Sequence, residues 1–395
     1  MSSRPTPPRL PYLSSRLQGF GTTIFAEMSA LAAATGAINL GQGFPDTDGP
    51  AEVADAAVEA IRAGHNQYPP GTGIPELRAA VAEHQRRFWG IDLDPDTEVL
   101  ITAGATEALA AALLALCETG DEVLTFEPTY DAYEAGAAMA GATLRVLTLE
   151  PPDHAVDPDA LAAAVTPRTR LVLLNSPHNP TGKVFSDDEL AAIARLCVDN
   201  DLLAVTDEVY EHITFDGRTH RPLCTFPGMA DRTVTISSAG KTFSFTGWKV
   251  GWATGSPALV GAVRTAKQFL TYVNGAPFQH AVVTGLGLGD DYYKGLAEGL
   301  QERRDILCAG LRAAGLTVHP PAGTYFVTAD IRPLGSDDGM AFCRSLPERC
   351  GVVAVPNQVF YQDPARGRHL VRFAFCKRPE VLTEAAERLA SLGPA

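Results

Sequence analysis

The sequence predicts an α/β protein, with a mostly parallel sheet sandwiched by helices in a large domain and a smaller α+β domain after it. Two observations lead there. From Glu98 to Thr254, short β-branched runs alternate with Ala/Leu-rich stretches of helical length, and the runs are apolar on both faces, as strands covered on both sides must be. After Pro257 the texture changes to a long helical region reaching roughly Ala314, followed by short strands and a closing helix from Pro379.

Taken in order, EVLIT (98–102) leads into the helical TEALAAALLALC and DEVLTFE (121–127) into YDAYEAGAAMA. TLRVLTL (143–149) precedes a helix near Pro158–Val165, and RLVLLN (170–175) precedes SDDELAAIARLCVDN, where Ser186 and Glu189 have the spacing of a capping box. LLAVTD (202–207), TVTISS (233–238) and KVGWATG (249–255) complete the series, and LTVHP, TYFVTAD, VVAVP and HLVRFAF supply the later strands. A chain of 395 residues exceeds one small core. It divides into an N-terminal arm with part of the small domain (1–45), a large domain (46–285) and a small C-terminal domain (286–395).

Composition narrows the function. A net charge of −14 without a basic patch excludes nucleic acid as partner. Seven cysteines without a CxxC pair read as reduced thiols in a cytoplasmic protein, with no metal site. The N-terminus is Pro-rich and lacks the apolar stretch of a secretory signal. The uncharged run from Gln268 to Gly289 is interrupted by Asn274, Gly275, Pro277, Gln279 and His280, so it makes no membrane span.

Open α/β sheets bind ligands at the carboxyl ends of their strands, and the chemically able residues gather there. Lys241 lies in a Ser/Gly-rich turn after a strand, where burial or a neighbouring cation would lower its pKa and make it a nucleophile and base. Asp207 ends an apolar run and can hold a cationic ring nitrogen or cap a helix. Tyr210 is either a hydrogen-bond donor to a ring oxygen or a core residue. Gly104, Ala105 and Thr106 form a strand-to-helix turn suited to phosphate, and Ser238 and Lys249 could join them. Asn179 sits in a Pro-framed loop, and Arg372 lies mid-strand among apolar residues. Such an arginine needs an anion, either a substrate carboxylate or a structural ion pair. An imine-forming lysine, a carboxylate, a phenol, a hydroxyl and a second lysine together match the needs of pyridoxal 5′-phosphate.

NLGQGFPD (39–46), NQYPPGTG (66–73), EPTYDAY (127–133), NSPHNPTG, TDEVY, SSAGKTFSFTGWKVGW and LVRFAFCKR run almost from end to end. Together they resemble the fold-type I, class I/II pyridoxal-phosphate aminotransferases, in the subgroup of kynurenine, glutamine and methionine aminotransferases. FAEMSA, SPHNPTG and GAPFQ are most similar to actinobacterial proteins assigned as N-succinyldiaminopimelate aminotransferases. The resemblance implies a fold-type I transferase acting on an amino acid and a 2-oxo acid. It implies that Lys241 bonds the cofactor, Asp207 pairs with its ring nitrogen, and Tyr210 and Asn179 reach the ring oxygen. Tyr130 would stack on the ring. Gly104, Ala105, Thr106, Ser238 and Lys249 would hold the phosphate, with Tyr68 from the neighbouring subunit of a homodimer. Arg372, Asn179 and the Gly41 backbone would bind the substrate α-carboxylate. Ile24 stands near an aromatic position of kynurenine-type members and Gly275 near a frequent histidine, which disfavours an aromatic donor. A cysteine-conjugate β-lyase with the same cofactor is the nearest rival. A transcription regulator built on this fold would need a basic DNA-binding domain ahead of these motifs.

Overall fold

The computed structural model describes residues 12–21 and 23–392. Helix Ile24–Thr35 leads to a two-residue strand β1 (Ile38–Asn39), and helices Ala51–Arg62 and Pro75–Trp89 follow. The large sheet comprises β2 (Val99–Thr102), β3 (Glu122–Glu127), β4 (Thr143–Thr148), β5 (Thr169–Asn175), β6 (Leu203–Asp207), β7 (Thr233–Ser238) and β8 (Gly251–Thr254). Its strand order is β2-β8-β7-β6-β5-β3-β4. Only β8 runs against its neighbours. Side chains of this sheet pack on one face against helices Gly104–Leu116 and Pro257–Lys267, and on the other against Asp187–Asp199. That two-sided burial explains the unbroken apolar runs. Helix Asp187–Asp199 starts at the expected capping box, with both Ser186 and Glu189 side chains bonded to the backbone.

The long helical region resolves into three helices, Pro257–Lys267, Ala276–Leu286 and Asp290–Ala313. The breaks fall at Gly275 and Pro277 and at Gly287 and Gly289, where helix propagation is weakest. Then come β9 (Thr317–His319), β10 (Phe326–Asp330), β11 (Val352–Val353), β12 (Val355–Pro356) and β13 (Leu370–Ala374). Four of these form an antiparallel sheet in the order β12-β13-β10-β9, while β11 pairs in parallel with β1. Leu40 N–H donates to Val353 O at 2.9 Å, and Leu40 O accepts from Ala374 N–H at 2.6 Å. The segment just after β1 is thereby stitched beside β13. All seven cysteines are free. Among the described residues, no helix is long and apolar enough to cross a membrane.

Candidate active site

The carboxyl ends of β2, β5, β6 and β7 open on one cavity of about 420 Å³. Of the residues singled out from sequence, all except Tyr68 and Gly41 line it. At one end the first turn of helix Gly104–Leu116 presents N–H groups that have no intrahelical partner. Gly104 has φ +75°, and a Cβ there would lie 3.2 Å from Lys249 Cε. Opposite it, a Cβ on Gly251 would come within 2.7 Å of Gly104 C. Only two glycines let the β2 and β8 tips approach so closely, bringing Lys249 Nζ to 3.5 Å from Thr106 Oγ1. The Thr106 side chain therefore faces the same cradle as its backbone. Asn274, not anticipated, donates to Thr102 O at 3.1 Å and Lys249 O at 3.0 Å and ties the cradle together.

Lys241 lies in the short helix Ala239–Thr242 behind β7, partly exposed at the cavity floor. Burial away from bulk water pushes its amine pKa down, and Asp207 opposes the shift. Its Nζ donates to Tyr325 Oη at 2.9 Å. Asp207, at the tip of β6, is buried, and burial pushes its carboxyl pKa up. The Tyr133 hydroxyl, donating to Oδ2 at 2.8 Å, and the Val209 N–H act in the opposite direction. No helix directly follows Asp207, so it is not a helix cap; it accepts only a long 3.4 Å hydrogen bond from Val209 N–H, and the residue lines the cavity. Tyr210 is buried and its phenol is raised by that burial. The Tyr130 phenol is pushed up to about 12 by burial, and its ring stands edge-on to Tyr133 at 5.7 Å.

Arg372 is 1% exposed on β13. Its Nη1 donates to Asn179 Oδ1 at 3.0 Å and its Nη2 to Gly41 O at 3.1 Å. Its Nε has no partner. The rings of Phe326, Phe360 and Phe25 surround the guanidinium with centroids 4.0, 5.0 and 5.2 Å away. Burial holds its pKa down to about 10. It forms no ion pair among the described residues, which removes the structural salt bridge as an explanation. Asn179 is itself fixed, its N–H donating to Asn175 Oδ1 at 2.7 Å, while the Asn175 amide bonds Asp207 O at 2.8 Å.

Tyr68 is 83% exposed and rests edge-on against Tyr272 at 6.0 Å, outside its own chain's cavity. The gap noted at Ile24 is filled by the next residue. Phe25, not Ile24, lines the cavity, so an aromatic wall exists there after all. Tyr133, Asn175, Tyr325 and Asn274 had no signal of their own. The i, i+3 spacing of Tyr130 and Tyr133 at the start of a helix was the one available clue. Elsewhere, His84, Glu211 and His212 bring ligand-type atoms within 4.8 Å of one another. There His84 Nε2 hydrogen-bonds His212 Nε2 at 2.7 Å, and Glu211 accepts from Trp89 at 2.7 Å and from Ser237.

Half-buried Lys241, buried Asp207 and Arg372, and the first turn of helix Gly104–Leu116 converge on one cavity of a seven-stranded α/β sheet. The chain matches aminotransferase class I and II over residues 35–389 and belongs to that family. It is 55% identical over 389 residues to the probable N-succinyldiaminopimelate aminotransferase DapC of Mycobacterium tuberculosis, covering 96% of this chain and 98% of the relative. A solved structure of the M. tuberculosis N-succinyldiaminopimelate aminotransferase superimposes with TM-score 0.95, covering 96% of this chain and all of that one. The methionine aminotransferase of Escherichia coli is 40% identical over 378 residues, 96% of this chain and 98% of the relative. The human kynurenine–oxoglutarate transaminase 3 is 34% identical over 95% of this chain and 89% of the relative.

Proposed function

We propose that the chain is a pyridoxal 5′-phosphate enzyme that exchanges an amino group between N-succinyl-LL-2,6-diaminopimelate and 2-oxoglutarate, with glutamate as the other amino acid, in a ping-pong cycle. The carrying observation is Arg372, a buried cation without an acid, aimed into the cavity that holds Lys241 and Asp207. The 55% identity to DapC supports the particular donor. The residues fit the cofactor. Lys249, Ser238 and the first turn of helix Gly104–Leu116 suit a phosphate, and Asp207 suits a cationic ring nitrogen. Tyr210 and Asn179 would face the ring oxygen, and Tyr130 would stack on the ring. Tyr68 of the partner subunit would complete the phosphate end in a cytoplasmic homodimer, a compartment consistent with the free thiols. We place the boundaries of the large lobe at residues 46 and 285, with the arm and the C-terminal segment joined through β1 and β11.

When bound, the cofactor supplies an electron sink for the carbanion formed at the donor's Cα. Arg372 grips the α-carboxylate through its fork, while Asn179 and the Gly41 carbonyl fix the plane of the guanidinium. That grip sets Cα near Lys241, whose amine removes the Cα proton as a general base. Burial favours the protonated form of Asp207; the Tyr133 hydroxyl and the Val209 N–H oppose that shift, and a cationic ring nitrogen beside it would favour the carboxylate further. The aromatic wall of Phe25 and Phe326 excludes water around Arg372.

A second reading is a broad enzyme for neutral side chains such as methionine, glutamine or kynurenine. Arg372 is the only guanidinium among the described cavity residues, and aromatic rings flank it. A screen of half-reactions decides, following the bleaching of the cofactor's visible absorbance with each amino donor. Fast bleaching by the succinylated donor supports the first reading, and by methionine or kynurenine alone the second. Pyruvate and ammonia from a cysteine conjugate without any oxo acid would mark a β-lyase. A colourless protein that refuses reconstitution overturns the cofactor assignment.

A further inference from the structure

We infer that Tyr325 is the positioning residue for the free amine of Lys241, an inference that rests on the lysine's assignment above. Tyr325 is 2% exposed, and its hydroxyl stands between two partners. It accepts from Lys241 Nζ at 2.9 Å and donates to Gly43 O at 2.6 Å. A phenol has one proton, and this one is committed to the Gly43 carbonyl. The side of the oxygen that faces Lys241 is therefore an acceptor only. It can take an N–H from the lysine but cannot protonate the amine, so the lone pair of Nζ is kept for the cavity.

The arrangement is held on every side. Gly43 lies where a Cβ would meet Phe326 Cζ at 2.5 Å and Tyr325 Cε2 at 3.1 Å, so no side chain can stand between the phenol and that carbonyl. Thr324, immediately before Tyr325, has φ +64°, and its N–H is pinned to Ile213 O at 3.0 Å. Tyr325 O accepts from Phe375 N–H at 2.9 Å, and the ring stands edge-on to Tyr210 at 5.2 Å. The phenol is thus fixed by the β10 and β13 sheet, the lysine by the β7 turn, and Gly43 by the segment after β1. Three separate parts of the chain meet at one hydrogen-bonded oxygen. The charged and titratable groups facing the lysine are Asp207, Cys376, Lys249 and Arg372, with the Tyr210 ring 5.8 Å away. Tyr325 is the one that touches its nitrogen.

In the catalytic cycle Lys241 must leave the cofactor when the donor binds and then act on the Cα proton. An amine free to rotate would sample many poses. Anchoring one N–H on Tyr325 leaves the lone pair a narrow range of directions.

The test is Tyr325→Phe in the loaded enzyme, with cofactor content and thermal midpoint measured first. A positioning role predicts a donor KM within about twofold of wild type and a kcat lowered about 10- to 100-fold. It also predicts a larger kinetic isotope effect with Cα-deuterated glutamate, because proton removal becomes slower than the steps around it. A readout without turnover is the rate at which pyridoxal 5′-phosphate recolours the apoprotein as pH varies. Losing an acceptor that favours the ammonium should move the pH dependence of that rate toward acid. Unchanged kcat, isotope effect and recolouring profile would overturn the inference, as would a raised KM with kcat intact. If Tyr325→Phe does not fold, a fluorotyrosine at 325 retains the hydroxyl and weakens it as an acceptor; the same shifts in smaller measure are expected, and their absence is equally fatal. A wild-type protein that never takes up the cofactor sinks the functional reading instead, so the two failures are separable.

Discussion

Arg372 holds its charge where water does not reach, between three phenyl rings and two neutral oxygens. Desolvating a guanidinium without an opposing carboxylate is costly, and the α-carboxylate of the proposed substrate would offset that cost. Arg372→Lys keeps the charge but loses the fork. Since charge-assisted hydrogen bonds contribute about 1.5–3 kcal/mol, the donor KM should rise roughly 10- to 100-fold with cofactor content unchanged. Equal steady-state constants for variant and wild type would rule out the carboxylate grip. Arginine in LVRFAF was visible in the sequence because a cation amid apolar strand residues demands a reason. Tyr133, Asn175 and Tyr325 gave no such signal. Each is an ordinary core residue until folding sets it beside Asp207, Asn179 or Lys241, and those pairings span 74, 4 and 84 positions.

Strand ends were legible because β-branched runs stop where polar residues begin, and four such ends face the cavity. The reversal of β8 was not. Between β7 and β8 the chain forms only the short helix Ala239–Thr242 and a 3-10 turn, without the full helix that usually carries a parallel crossover. The loop after β5 carries a pH dependence of its own. His178 is buried there beside Thr181, and burial holds its pKa down to about 3. Between that value and the ordinary histidine range, the unfolded chain takes up a proton that the native loop refuses. His178 therefore costs stability increasingly as pH falls from about 6.5 toward 3. Urea midpoints for wild type and His178→Asn at pH 7.5 and pH 5 should show the smaller acid loss in the variant. An identical loss in both would place the acid sensitivity elsewhere.

At the scale of the whole molecule, Tyr68, Phe269 and Tyr272 expose aromatic surface, and Tyr68 rests edge-on against Tyr272. The proposed sharing of sites between the subunits of a homodimer can be counted. In a hybrid of Lys241→Ala and Tyr68→Ala subunits, one of the two sites takes its lysine and its tyrosine from unaltered positions. Random reassociation of equal amounts should then restore roughly a quarter of wild-type sites, whereas sites built within single chains would stay at the sum of the two parents. The change of texture after Pro257 was visible in the sequence, and residues 1–45 were expected to contribute to the small domain, but the strand that receives them was not legible. Nothing in Ile38–Asn39 announces that it will pair with Val352–Val353. That pairing has a consequence for how the protein is born. The lysine, the acid at 207 and the anion cradle lie between residues 104 and 249, and all have left the ribosome well before the chain ends. Gly41 must wait for Arg372, 331 positions behind it. A nascent chain arrested near residue 350 therefore carries Lys241, Asp207 and the first turn of helix Gly104–Leu116 but not Arg372, and on the proposed reading the means of choosing a substrate arrives only with the last strand.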